Sequence, residues 1–469
     1  PIRFDRADVA LRYDPARQRI TLGSLRVESP SLRLRARGSA ELQDGAGGLA
    51  QPGQLPQAVV GQLTISEVMV DPEGLFAEPV VFDTGALAMR VTLSPFRAEI
   101  GELSLGQGKD QLRLSGDMAA VPGGWQGGID VALPRIDADR LVKLWPVSVV
   151  PKTRSWLAAN VGQAEFEDFN ASLRIAPGQE PRFALDYDFA GAEVRFIRTL
   201  PPVKDGHGRA TIFGNSYVIA LEGGHVVAPD GGRIDATGSV MRVEDIAVIP
   251  AMAEVELTTV STLTAALSLM DQEPFRFLTK AGRPVALGDG LAALTSSLRF
   301  PLKEKIGVGD VGYTVRGMVR DFRSGVLVPD RVLAVPEMTV RVTAEGLVLA
   351  GRGTLDDLPF EATFNQPFDP AAGGRATAKA RIWLTDARMR GFGIALPQGW
   401  LSGETQAEVE MVIPKGAPLT LSLTSTLAGA ALKVPPLGWS KAAKAKGSLS
   451  LEARLGASPE VTALRLEAP

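Results

Sequence analysis

The sequence predicts a mostly β fold: a long, twisted and curled antiparallel sheet with a few short helices. Three observations predict it. Apolar and polar residues alternate with a period of two along nearly the whole chain. Glycine (50 residues) and proline (33) are abundant and fall between the alternating stretches. Helical signals are confined to a few short segments. A strand sends successive side chains to opposite faces, so each alternating stretch has one apolar and one wet face. Antiparallel sheets with one solvated face read this way, whereas buried parallel strands read as continuous apolar runs.

In chain order, Ser31–Ala36 sets Leu32 and Leu34 opposite Arg33 and Arg35, and Gln111–Ser115 sets Leu112 and Leu114 opposite Arg113. Asp137 is placed to cap a short helix over Ala138–Trp145 that Pro146 stops. Pro151–Ala159 reads as a second helix ending near Asn160. Arg182–Phe189 returns to alternation with Phe183, Leu185, Tyr187 and Phe189 on one face. Leu263–Lys280 holds one or two further helices, broken at Pro274 and stopped at Gly282, and Leu291–Ser297 reads as another short turn. Later strand-like stretches carry Val311, Tyr313 and Val315, then Val340 and Val342, Val409 and Met411, Leu421 and Leu423, and Leu449 and Leu451 on their apolar faces. Gly123-Gly124, Pro201-Pro202, Pro229–Gly232 and Pro435-Pro436 supply turns of a meander. A small-x-Gly-Ser/Thr motif recurs at Ala36–Ser39, Ala236–Ser239, Gly351–Thr354 and Ala445–Ser448. Glycine inside a strand marks a bulge or bend, so regularly bent strands are expected to curl the sheet.

The 469 residues exceed one ordinary core and point to roughly two to four domains, or one elongated repetitive body. Hydrophobic residues make up 45% but aromatics only 6%, so the apolar content is mostly Val, Leu, Ile and Ala, enough to fold. A net charge of -3 with a pI near 5.8 leaves no basic footprint for nucleic acid or for an anionic membrane surface. The absence of cysteine excludes disulfides, thiol nucleophiles and Cys-based zinc sites, and fits the periplasm among other compartments. No apolar run approaches the ~18–20 residues that span a bilayer. The chain starts at Pro1 and stops at Pro469 within alternating sequence, which reads as a fragment of a longer protein whose anchor or signal lies outside it.

Catalytic patterns are missing. His207 and His225 stand apart in Gly-rich stretches read as turns, without HExxH spacing. Gly101 and Gly106 resemble a P-loop opening, but Gln107 stands where lysine is required. Asp186, Asp188 and Gly191 hint at a calcium loop, yet Ala190 occupies a ligand position and Ile197 the place of the closing glutamate. The expectation is a non-enzymatic protein with no cofactor and no metal. Trp125, Trp145, Trp156, Trp383, Trp400 and Trp439 lie mostly beside Gly or Pro and read as packing anchors at strand ends. Arg33, Arg35 and Arg113 read as a solvated outer wall.

Four segments carry a resemblance. They are PRIDADRLVKLWPVSVVPKTRSWLAANVGQAEFEDFNASLRI (134–175), FALDYDFAGAEVRFIRTLPPVKDGHGRATIFGNSYVIALEGG (183–224), LTAALSLMDQEPFRFLTKAG (263–282) and LKVPPLGWSKAAKAKGSLSLEARL (432–455). In this order they resemble the YhdP-type branch of the AsmA-like proteins, the last one through an L-x-x-P-L-x-W-x-K-like signature before a strand. The resemblance spans about residues 130 to 469, and residues 1–130 match in style only. His207 and the AKAK stretch are local departures.

The resemblance implies a repeating β-groove: a sheet curled into an elongated gutter with an apolar inner face, held at the inner membrane by a segment outside this chain and reaching across the periplasm toward the outer membrane. It implies a lipid-transfer conduit whose partners are phospholipid acyl chains, the two membranes through parts outside this chain, and other envelope proteins. Its segments would be 1–130, then 131–262 opened by the short helix pair, then 263–469 opened by a helix. The apolar strand residues named above become the candidate groove lining. Exposing a lipid tail to water costs ~0.8 kcal/mol per methylene, or roughly 25 kcal/mol for two tails of about sixteen carbons. About thirty strands spaced ~4.8 Å apart would reach on the order of 140 Å. Two other readings compete. A structural or assembly scaffold for the envelope would have a dry, side-chain-filled interior. A carbohydrate-binding or hydrolytic β-protein would cluster aromatics and carboxylates in a cleft.

Overall fold

A computed structural model describes residues 5–468, apart from 52, 73, 109–110, 148–150, 274, 304, 370, 372 and 457–458, and turns nearly every alternating stretch into a strand. Strands β1 (Arg6–Asp14), β2 (Arg19–Glu28), β3 (Leu32–Gln43), β4 (Ala58–Val70), β5 (Val80–Phe82), β6 (Gly85–Leu93), β7 (Phe96–Leu105), β8 (Leu112–Val121) and β9 (Gly124–Asp137) lead into helices α1 (Ala138–Leu144) and α2 (Pro151–Asn160). Strands β10 (Val161–Ile175), β11 (Arg182–Val194), β12 (Val203–Phe213), β13 (Ser216–Val227), β14 (Arg233–Asp235), β15 (Val240–Val243) and β16 (Met252–Thr262) lead into α3 (Leu263–Met270) and α4 (Phe277–Lys280). Strands β17 (Asp289–Pro301), β18 (Gly312–Ser324), β19 (Leu333–Thr343), β20 (Gly346–Leu355), β21 (Leu358–Pro367) and β22 (Ala376–Leu384) lead into α5 (Asp386–Gly391). Then follow β23 (Leu401–Gly403), β24 (Thr405–Ile413), β25 (Leu419–Ser425), β26 (Ala430–Val434), β27 (Trp439–Lys441), β28 (Ser448–Leu455) and β29 (Glu460–Glu467). Among the described residues, 26 strands belong to one antiparallel sheet, and β23, β26 and β27 form a small separate one. The fold is therefore mostly β, with short helices only.

The chain divides into two units: Pro1–His225 with Val240–Met252, and Val226–Ser239 with Ala253–Pro469. Within each, most neighbouring strands pair as hairpins whose turns alternate between the two rims of the sheet, and the helices lie at one of these rims. Three strands run straight into a helix through a side-chain cap that satisfies an orphan backbone donor. Asp137 accepts from Arg140 N at 2.8 Å, Thr262 from Ala265 N at 3.1 Å, and Thr385 from Arg388 N at 3.3 Å. These caps stand 125 and 123 residues apart in the chain.

The buried core is broken into small clusters. In the first unit, Leu141 of α1, with Leu144, Trp145 and Leu157, packs on Leu133, Ile136 and Phe166. A second cluster gathers Ala36, Ile65, Val68, Val80, Phe82 and Leu105. In the second unit, Leu263 of α3 packs with Ala292, Val319, Phe322 and Val335, while Ile382, Ala407 and Val409 form a cluster near α5.

The readings of Ala138–Trp145 and Pro151–Ala159 as helices agree with α1 and α2 to within one residue, and Leu263–Lys280 splits into α3 and α4; Pro274 lies outside the described residues. Four expectations need correction. Leu291–Ser297 is not a separate turn but the body of β17: Ala292 pairs with Val319 and Leu294 with Gly317, and packing between strands overrides the helical propensity of an Ala/Leu run. Val311 lies just before β18, after a short 3-10 turn, and so belongs to no strand face. His207 and His225 sit within β12 and β13, because their flanking glycines are extended or bulged strand residues and not turns. The glycine motif is not one structural unit: Gly38 and Gly353 lie inside strands, Gly238 is a left-handed turn residue (φ 85), and Gly447 precedes β28. Helix α5 has no counterpart in the sequence reading.

Candidate functional site

Directly paired residues of antiparallel strands share a face, so the register shows which side chains lie together. In the first unit one row runs Leu11, Leu22, Gly38, Leu63, Leu87, Leu103, Leu114, Val131, Ala171, Leu185, Ile212 across β1–β4 and β6–β12 without a polar member. In the second unit an equivalent row runs Leu294, Gly317, Val340, Leu349, Phe364, Ala378, Met411, Leu421, Ala453, Val461 across β17–β22, β24, β25, β28 and β29. Flanking rows are largely apolar, with Val315 against Val342 and Val409 against Leu423 and Leu451, although Ser296 and Gln366 enter the row of Val315.

The glycines in these rows make the apolar side concave. A Cβ at Gly38 would lie 2.0 Å from the Gln62 carbonyl oxygen, and one at Gly317 would lie 2.1 Å from that of Ala293. The neighbouring backbone therefore leans over these positions, which only glycine permits. A local bulge at Asp168 (φ 47) adds twist where β10 meets β11. In the first unit, Ile20, Leu22, Ser39, Ala40, Val59, Gly61, Leu63, Met89 and Val91 line a concavity of about 200 Å³.

Exposure grades across the face. At the helix rim of the first unit, Leu133, Ile136 and Phe166 are only 3–6% exposed, whereas toward the hairpin rim Ile129, Leu173 and Phe183 reach 38–40%. The second unit repeats this, with Val319, Phe322 and Val335 buried and Tyr313, Val315 and Val342 half-buried. Total accessible surface is 28000 Å² for 49.6 kDa. Two separate compact bodies of half that mass would expose only about 20,000 Å² between them. The chain thus exposes more surface than two compact bodies would, and most residues of the apolar rows are half-buried.

The opposite face carries a ladder of cross-strand charges. Arg35 meets Glu67 at 3.1 Å and Arg97 meets Asp117 at 3.0 Å. In the second unit Lys379 meets Glu410 at 2.7 Å and Arg320 meets Glu337 at 3.6 Å. Each exposed pair contributes little to stability, about 0–1 kcal/mol, but together they fix which face meets water. Hydrogen bonds from Ser172 and Arg174, with the Arg174 charge, hold the Asp130 carboxyl below the usual range. Arg33, Arg35 and Arg113 are exposed on this wall.

The residues expected to line a groove divide into groups. Leu114, Leu185, Val340, Met411 and Leu421 fall on the rows above, and Val315, Val342, Val409, Leu423 and Leu451 lie in adjacent ones. Tyr313 pairs with Leu298, and Leu449 with Leu466. Leu32, Leu34, Leu112, Tyr187 and Phe189 pack into the small clusters near the helix rim, and of the row residues Val340 packs against the Val319 cluster while Val409, Met411, Leu421 and Leu423 pack in the Ile382 cluster. Tyr187 lies edge-on to Phe166, with its hydroxyl 2.8 Å from that of Tyr217. Burial raises the pKa of both phenols, keeping them neutral.

Two features escaped the sequence reading. The aromatic residues at the hairpin rim are one: Trp125 is 54% exposed and touches Phe96 edge-to-face at 5.9 Å, so it is no buried anchor. The other is Lys441, the lysine of the W-x-K signature, which is 2% exposed. Its ammonium donates to the carbonyls of Leu427 at 2.7 Å, Ala430 at 2.8 Å and Ala442 at 3.1 Å, tying the small sheet to its preceding loop. Lys441→Met is expected to destabilise the second unit by about 2–4 kcal/mol, because two buried carbonyls and one partly buried carbonyl lose a charged donor. Urea unfolding checks this, and an unchanged midpoint would refute it.

Among the described residues no helix is long and apolar enough to cross a membrane. No family model, curated protein or solved structure matches the chain.

Proposed function

We propose that this chain is a non-enzymatic lipid carrier whose curled apolar faces hold phospholipid acyl chains, in the manner of a YhdP-type AsmA-like protein. One observation carries the reading: in each unit an unbroken apolar row crosses about ten paired strands on the concave side, and much of that side remains accessible. A dry scaffold would bury such rows against one another. Leaving them accessible is costly in water unless something apolar covers them, and an acyl chain supplies about 0.8 kcal/mol per methylene. The lining is Val, Leu, Ile, Ala and Met with few polar atoms, which suits sliding more than tight specific capture. Transfer between the inner and outer membranes, and a periplasmic location, belong to this proposal.

The test is photocrosslinking from the two faces of one strand. A photoreactive residue at Leu185, on the apolar row, is expected to capture phospholipid, whereas one at Asp186, on the charged face, is not. Equal capture from both positions, or from neither, would overturn the reading.

A further inference from the structure

We infer that acyl chains enter the first unit across its hairpin rim, over an aromatic sill formed by Phe96, Trp125 and Phe183; this rests on the lipid-carrier reading. The two rims of this unit differ. At the helix rim, α1 and α2 pack over the ends of β9, β10 and β11 through Leu141, Trp145 and Leu157. Beside the three aromatics the turns at the opposite rim, Ser94-Pro95 between β6 and β7 and Pro122-Gly123 between β8 and β9, are two residues long, and the longer β3–β4 connection meets this rim on the far side of β6. There the apolar face ends in Phe96 (41% exposed), Trp125 (54%) and Phe183 (39%).

Strand alternation places all three on the apolar side. Phe96 lies in phase with Ala98 and Ile100, Trp125 with Ile129 and Val131, and Phe183 with Leu185. The adjacent Arg97 turns to the other face, where it meets Asp117 at 3.0 Å. An occupant therefore meets carbon and no charge at the sill.

The strands also select an aliphatic chain over a peptide. β7, β9 and β11 are each hydrogen-bonded on both sides, so no free edge is available for strand addition. A peptide laid on this face would desolvate its own backbone groups without partners. An acyl chain has none to satisfy, and its headgroup can stay in water beyond the rim.

The experiment measures loading of the full chain from phosphatidylcholine vesicles carrying a lipid with a fluorescent acyl chain. Phe96→Gln, Trp125→Gln and Phe183→Gln combined should slow loading by about tenfold while leaving final occupancy within about twofold. Phe96→Leu with Trp125→Leu should load normally, which separates apolar contact from folding damage, and circular dichroism melting checks that each variant folds. Leu157→Gln, at the helix rim, should leave the rate unchanged. If the triple variant binds lipid at the wild-type rate, or Leu157→Gln slows loading as much, the sill is not the entry. If the wild-type chain takes up no lipid, the carrier reading fails and this inference with it.

Discussion

Gly317→Ala is expected to destabilise the second unit by about 3 kcal/mol, a large loss for one methyl group. The added Cβ would sit 2.1 Å from the Ala293 carbonyl oxygen and 2.8 Å from Leu294 Cα, so backbone, not a flexible side chain, must move. Gly312→Ala in the same strand points to the opposite face, where the nearest atom is 3.8 Å away. It should change stability by less than about 0.5 kcal/mol. Chemical denaturation of the two variants compares them directly. Equal stability would mean that glycine does not set the curl.

Val315→Lys is expected to reduce lipid retention by roughly thirtyfold while leaving the chain folded. Val315 lies opposite Val342 on the apolar side and is only half-buried, so the lysine stem can reach water and folding survives. An acyl chain crossing that position gives up contact for two or three methylenes, about 2 kcal/mol. Thr314→Lys, one residue earlier and on the exposed face, should retain lipid normally. Lipid dissociation rates for the two variants decide this, and similar losses from both would point to a general charge effect.

Much of the fold could be read from the chain because its signals are local. Alternation at Leu32–Arg35 or Leu449–Glu452 reports strand and face together, and Asp137 before an apolar run reports a helix start. What could not be read depends on partners distant in sequence. Leu291–Ser297 looked helical until Val319 and Gly317 were set beside it. Tyr187 and Phe189 share the alternation of Leu185, yet the helix pair covers them while Leu185 stays on the row, and no period-2 pattern encodes that difference. Trp125 sits beside Gly124 like a packing anchor, but its turn leaves it at the rim. Lys441 has the composition of a surface residue, and its burial follows from three carbonyls that only the folded loop brings together. The three helix caps also form a spaced series that no shared residue type announces, since aspartate and threonine serve alike.

The most direct measurement is native mass spectrometry of the chain purified without harsh detergent, followed by extraction and identification of whatever is bound. Acyl chains lying on the apolar rows predict added masses matching phospholipid, with fewer bound when Val315→Lys disrupts the second unit's row. A protein that flies at its bare mass, yields no lipid on extraction and stays soluble and folded would show that these faces need no apolar cover, contradicting the account.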